Sequence, residues 1–154
     1  MEKKIFTFIL LIFLSSCGYE AKYSLSKRNI YNFSISKLIL IGDRQANLRI
    51  KQKLNNYILV QKEKKFVLKI SSESERTTTA KDSSGDPTNF KNTLTINVEV
   101  LINNEIKNTF KILESFDYLN DSNKSELNKY EYEIKNNLSE NVTDELIEKL
   151  SKIK

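Results

Sequence analysis

Apolar and polar positions alternate most regularly between Thr93 and Ile102. Leu94, Ile96, Val98, Val100 and Ile102 fall on one parity, and Thr93, Thr95, Asn97 and Glu99 on the other. A period of two predicts a strand with one dry face and one wet face. Phe110, Ile112, Phe116 and Tyr118 continue the pattern after Asn103-Asn104, with Glu114 as a misfit. Asn tolerates positive φ, so the two asparagines predict a tight hairpin between these strands. Upstream, Phe66, Leu68 and Ile70 alternate with Lys65 and Lys69 and predict a strand reaching about Arg76. Ile35 to Ile41 is β-branched and apolar, bounded by Gly42, and predicts a buried strand.

Two stretches change to helical spacing. Ala46, Ile50, Leu54 and Tyr57 share one stripe behind Asp43, which can cap exposed N–H groups, so a helix is expected over about 44 to 57. Leu127, Tyr130, Ile134, Leu138, Val142, Leu146 and Leu150 recur at three or four, predicting one helix of about 28 residues. Asn123 and Glu126 resemble its capping box. The order β-α-β-β-β-α predicts an α+β fold: a two-layer α/β sandwich with a four-stranded mixed sheet and both helices on its apolar face. The β-α-β start predicts a right-handed crossover and the later strands an antiparallel meander. Thr77 to Asn89, rich in Thr, Ser, Asp, Gly and Pro, reads as a loop.

The N-terminus has a different character. Two lysines precede Ile5 to Leu14, ten residues in which Thr7 is the sole polar member. That is the length of a signal-peptide core and about half of what a bilayer span needs. Leu14-Ser15-Ser16-Cys17 resembles the bacterial lipobox, whose cysteine becomes the acylated first residue of the mature chain. The expected organisation is a lipoprotein signal peptide over 1–16, a lipidated tether over 17–34 and one folded domain over 35–154. More than one acyl chain on Cys17 would hold firmly to a membrane, since each buried methylene contributes about 0.8 kcal/mol. Gly18, rather than Asp, after that cysteine points to the outer membrane.

Composition narrows the chemistry. The chain has no histidine, and Cys17 is its single cysteine. Acylation of that residue would leave no thiol, removing disulfides, the usual zinc and copper ligand sets and His- or Cys-based nucleophilic catalysis. No pair of carboxylates is singled out by spacing for acid–base work, so no catalytic residue, metal site or cofactor is assigned. Lys81-Asp82-Ser83-Ser84-Gly85-Asp86-Pro87 lacks the alternating oxygen ligands and closing Glu of a calcium loop and reads as a solvated turn. Without Glu2, Lys3 and Lys4 the net charge of +5 becomes +4, a mild excess compatible with an anionic partner. Arg76, Lys81, Lys91 and Lys124 cluster around the long loop and the start of the second helix. They form either a cationic rim for phosphate groups or an ordinary Lys-rich surface. The outward sheet face, with Lys65, Val67, Lys69, Thr93, Thr95, Asn97, Glu99, Thr109, Lys111 and Leu113, is either solvated or laid against a protein.

Several segments together carry a resemblance: Cys17-Gly18-Tyr19, Arg76-Thr77-Thr78-Thr79, the string Asn89-Phe90-Lys91-Asn92-Thr93-Leu94-Thr95-Ile96-Asn97-Val98-Glu99-Val100, Ser115-Phe116 and the Glu/Leu-rich terminal helix. The chain resembles the LPS-assembly lipoprotein family (LptE). The resemblance implies the same sandwich fold and a non-enzymatic role at the outer membrane, facing the periplasm. There the lipoprotein plugs a large β-barrel partner (LptD-like) that delivers lipopolysaccharide to the cell surface. It also implies lipopolysaccharide contacts through Arg76, Lys81, Lys91 and Lys124; Phe90 stands where the family often has Tyr. It implies a membrane partner through the lipid anchor and no nucleic acid. Two alternatives stay open: another periplasm-facing scaffold of barrel assembly or of a transporter, and an envelope hydrolase using Ser, Lys or carboxylates.

Overall fold

The structure, a computed structural model, describes residues 31–58 and 60–153. The signal-peptide reading of 1–16, the lipidation reading of Cys17 and most of the tether lie outside the described residues. Within them the order is β1 (Phe33–Gly42), α1 (Arg44–Ile58), β2 (Lys64–Lys81), β3 (Pro87–Ile102), β4 (Glu105–Leu119) and α2 (Lys124–Ser151). The expected β-α-β-β-β-α sandwich is therefore the observed one. The sheet runs β1-β2-β3-β4, with β1 and β2 parallel and the other neighbours antiparallel.

The core follows strand parity. Phe66, Leu68 and Ile70 on β2, Leu94 to Val100 on β3 and Ile112 on β4 are buried on one face. Against them, α1 contributes Ala46, Ile50 and Leu54, and α2 contributes Leu127, Ile134, Leu138, Val142, Leu146 and Leu150. Burying one such side chain contributes roughly 1.5–3 kcal/mol. Phe33 is also buried, stacked on Tyr57 at 5.1 Å between ring centroids. The last residues of the 17–34 segment thus belong to the fold, because aromatic burial in β1 starts two residues before the β-branched run.

Two local devices fix the chain path. Gly42 holds φ +100°, and a Cβ there would meet the Ser72 carbonyl oxygen at 1.9 Å, so only glycine lets β1 end this close to β2. Asn103 and Asn104 both take positive φ (53° and 66°), giving the two-residue hairpin that joins β3 to β4. At α2, Asn123 Oδ1 accepts from the Ser125 and Glu126 N–H groups, while the Asn123 N–H is taken by Asp121. The reciprocal half of the expected capping box is supplied by Asp121 rather than Glu126.

The loop expected over Thr77 to Asn89 is largely strand. β2 runs on to Lys81 and pairs with β3 from Pro87, leaving a turn of only Asp82 to Asp86. Three threonines supply β-branched side chains that suit an extended, solvent-facing ribbon, and their polarity had suggested a loop. Asp82 Oδ1 accepts from the Ser84 and Asp86 N–H groups at 2.8 and 2.9 Å, and Gly85 takes φ +88°. That carboxylate is engaged in closing the turn.

Candidate functional site

The four basic residues proposed from sequence do not form one rim. Arg76 is in register with Asn92, which is buried on the helix side of the sheet, whereas Lys91 is in register with Thr77 and faces outward. Lys81 is the last residue of β2, paired with Pro87. Asn120 Nδ2 donates to the Pro87 carbonyl at 2.7 Å, and α2 starts four residues later at Lys124. Lys81 and Lys124 therefore share the hairpin end of the sandwich, both exposed, and among the described residues neither makes an ion pair.

Arg76 is occupied by the protein itself. Its guanidinium carbon lies 3.7 Å from the centroid of Phe90, and its Nε is 3.1 Å from Glu131 Oε1 on α2. Tyr118 donates its hydroxyl to the same carboxylate oxygen at 2.7 Å, and its ring packs on Phe90 at 5.8 Å. Burial, reinforced by the Glu131 carboxylate, pushes the Tyr118 hydroxyl well above the ordinary tyrosine value. Arg76 thus works as a clamp between the hairpin and α2. Phe90, Tyr118 and Glu131 were absent from the sequence-level site. Parity was the available signal, since Arg76, Phe90 and Tyr118 all continue the inward parity of Ile70, Leu94 and Ile112.

Tyr130, expected on the buried stripe of α2, is 45% exposed and meets Tyr118 edge-on at 6.0 Å. The helix is 28 residues long, so one face cannot follow a flat sheet to its end.

The outward face of the sheet is the broadest surface that neither helix covers. Ion pairs cross the strands from Lys69 to Glu99 (3.3 Å) and from Lys91 to Asp117 (3.5 Å). Between them lie Thr93, Thr95, Asn97 and Ser115 in adjacent register. Ile41 and Leu113 are large apolar side chains on this face, each about half exposed. A shallow depression of about 480 Å³, lined by Ile41, Lys69, Ser71, Asn97, Glu99 and Lys111, opens on it. The charges are mixed: two pairs cross the strands, while Lys65, Glu73, Glu75 and Lys111 make no ion pair among the described residues, so the face has no strong field of one sign.

Protein-family models give no match to this chain, and no curated protein matches its sequence. Solved structures do match in fold. A rare lipoprotein B from Shewanella oneidensis is similar at TM-score 0.54 and 16% identity, covering 73% of this chain and 95% of that one. A minor lipoprotein from Acinetobacter baumannii is similar at TM-score 0.57 and 16% identity, covering 79% and 92%. An uncharacterized lipoprotein B from Nitrosomonas europaea is similar at TM-score 0.55 and 10% identity, covering 77% and 83%. Structural likeness at identities this low shows a shared fold alone.

Proposed function

We propose that the chain is an outer-membrane lipoprotein, anchored through Cys17 and facing the periplasm. In this reading it plugs and supports a large LptD-like β-barrel in lipopolysaccharide assembly and is not an enzyme. The observation that carries this is the outward face of the sheet: four strands wide, mainly polar, mixed in charge and covered by neither helix. The interior of a large outer-membrane barrel is polar and wet, so a plug must present broad polar surface rather than a greasy patch. The fold shared with bacterial lipoproteins and the lipobox resemblance at Cys17 support the same reading. Lys81 and Lys124, exposed at the hairpin end and without an ion pair among the described residues, are the best placed of the four basic residues to meet lipopolysaccharide phosphates.

A mild-detergent pull-down of the full chain from its native envelope tests the partner. Recovery of a large, heat-modifiable β-barrel in stoichiometric amount is expected. Its absence sinks the plug reading and favours another periplasm-facing scaffold. Labelling with a radiolabelled fatty acid tests the anchor: the wild-type chain should carry label, and Cys17→Ser should carry none and remain uncleaved or soluble.

A further inference from the structure

β4 is a terminal strand of the sheet, and among the described residues no strand pairs with the backbone groups on its far side. Native proteins usually protect such an edge with a covering element, and here the cover is incomplete. On the helix side of β4, Phe116 is 45% exposed; Leu119, on the opposite parity at the strand's end, is 71% exposed. Tyr130 stands across from them on α2, also 45% exposed. Between β4 and the first turns of α2 runs an open groove of about 680 Å³ that includes these three side chains.

The polar lining of that groove has one sign. Asp117, Asp121 and Glu126 line it and, among the described residues, no lysine or arginine does, in a chain whose net charge is +5. Asp117 is paired with Lys91 on the outward face, and Asp121 uses Oδ1 to hold the Asn123 N–H. Glu126 has no ion-pair partner among the described residues. Neither has Glu114, half-buried on the helix side of β4 between Ile112 and Phe116. The misfit in the apolar pattern of β4 is thus an unneutralised carboxylate beside an open strand edge.

We propose that the β4 edge and this groove receive an extended basic segment of a partner protein as a fifth strand. Lysine or arginine side chains of the segment meet Glu114, Asp121 and Glu126, and its apolar side chains cover Phe116, Leu119 and Tyr130. Strand addition satisfies the free backbone groups and supplies affinity, while alternate side chains supply selectivity. A second copy of this chain fits poorly, because edge-to-edge pairing would bring two acidic grooves together. The inference does not depend on the barrel reading.

The test uses the full chain in mild detergent and three fluorescent peptides of about eight residues, the usual strand length. One repeats Lys-Thr-Val-Thr, so that Lys and Val share the face turned to Glu114 and Phe116, one repeats Glu-Thr-Val-Thr, and one is the Lys/Val peptide N-methylated at every second residue. Fluorescence anisotropy should show the Lys/Val peptide binding at least about tenfold tighter than the Glu/Val peptide, and N-methylation should abolish binding along one edge. Glu114→Lys combined with Glu126→Lys should weaken the Lys/Val peptide by about tenfold or more with unchanged circular dichroism. Equal binding of the Lys/Val and Glu/Val peptides, or no binding of either, overturns the proposal. So does full retention of affinity after N-methylation, which would mean that charge attracts the peptide without strand pairing. A peptide-resistant dimer in sedimentation would instead assign the edge to a second copy.

Discussion

The two ends of the β2–β3 ribbon are held by different physics. At the base, Phe66, Leu68 and Ile70 face Val98 and Val100 beneath both helices, all essentially inaccessible to solvent. Toward the hairpin, the inward positions of β2 become Ser72, Ser74 and Arg76, and the apolar contribution comes from β3 and β4 alone through Phe90 and Tyr118. The base is stabilised by area removed from water. The far end relies on one guanidinium that covers an aromatic ring and ties the ribbon to α2 through Glu131. A strand can therefore lose its apolar alternation and stay in the sheet, provided its neighbour keeps the pattern and one long side chain bridges to the second layer.

The base should be the less forgiving end. Val98 is 1% exposed, between Ile70 and Phe110 in register. Val98→Asp buries an unpaired charge at a cost of several kcal/mol, against a total stability of about 5–15 kcal/mol, and should unfold the domain. Thr95→Asp, on the outward parity and opposite Glu73, should cost only about 0.2–1 kcal/mol from like-charge repulsion. Far-ultraviolet circular dichroism separates the two. Equal folding of both variants would mean that the faces are reversed.

At the far end, Phe90→Ala should cost about 3 kcal/mol, the low end for removing a buried aromatic, because the site is near the ribbon's tip. A double-mutant cycle with Arg76→Met should give a coupling of about 0.5–1 kcal/mol, the size of a partly exposed cation–π contact. Denaturant midpoints measure both. A coupling near zero would dissolve the contrast, leaving the far end held by packing as the base is.

Legibility in the sequence follows the same division. Element order, fold class, the two-asparagine turn and almost all of the core could be read, because alternation of Leu94 to Val100 and the stripe of α1 are direct images of burial. The ribbon beyond Arg76 could not, because Thr77-Thr78-Thr79 is as polar as a loop and its strand character depends on pairing with β3. The basic site suffered for the same reason. Reading 77–89 as a loop leaves Lys81 without parity and hides the pairing of Arg76 with Asn92 and of Thr77 with Lys91, so a clamp residue, a cross-strand ion pair and an exposed lysine fall into one group. Tyr130 was misplaced because helical spacing specifies a stripe without saying where the sheet beneath it ends.

An intermediate effect joins the layers beside the middle of β2, where β1 ends against Ser72. Burial pushes the Asp43 carboxyl upward, but the Ala46 N–H, the Lys135 ammonium at 3.0 Å and the Gln45 N–H outweigh it and hold it below the ordinary value. A carboxyl depressed in the folded state contributes stability that is present above its unfolded pKa of about 4 and lost as pH falls through the folded value. Asp43→Asn keeps a capping side chain and should lose about 1 kcal/mol at neutral pH, with a flatter decline in stability below about pH 4. Urea midpoints at neutral and acidic pH check this. An unchanged acid slope would mean that other carboxylates set the acid limit of the fold.

The smallest effect on stability should accompany the largest on ligand binding. Lys81 and Lys124 make no ion pair among the described residues, and Lys91 makes an exposed one at 3.5 Å. Replacing all three with Ser should shift stability by no more than about 0.5 kcal/mol per site, the range for surface changes away from caps and core. Arg76→Ser, by contrast, should loosen the hairpin, because it removes both the cover over Phe90 and the tie to Glu131. If the protein plugs a barrel, most binding energy comes from broad fit, so the triple variant should still co-purify the barrel. It should bind lipopolysaccharide less tightly, by a few-fold to a few hundred-fold, with a shallower dependence on ionic strength, since each lost phosphate contact is strong only where desolvated. Unchanged lipopolysaccharide binding in the triple variant, with weakened binding in Arg76→Ser, would invert the assignment. The clamp at Arg76 would then be the part of the hairpin that a phosphate opens, and the exposed lysines would be ordinary surface.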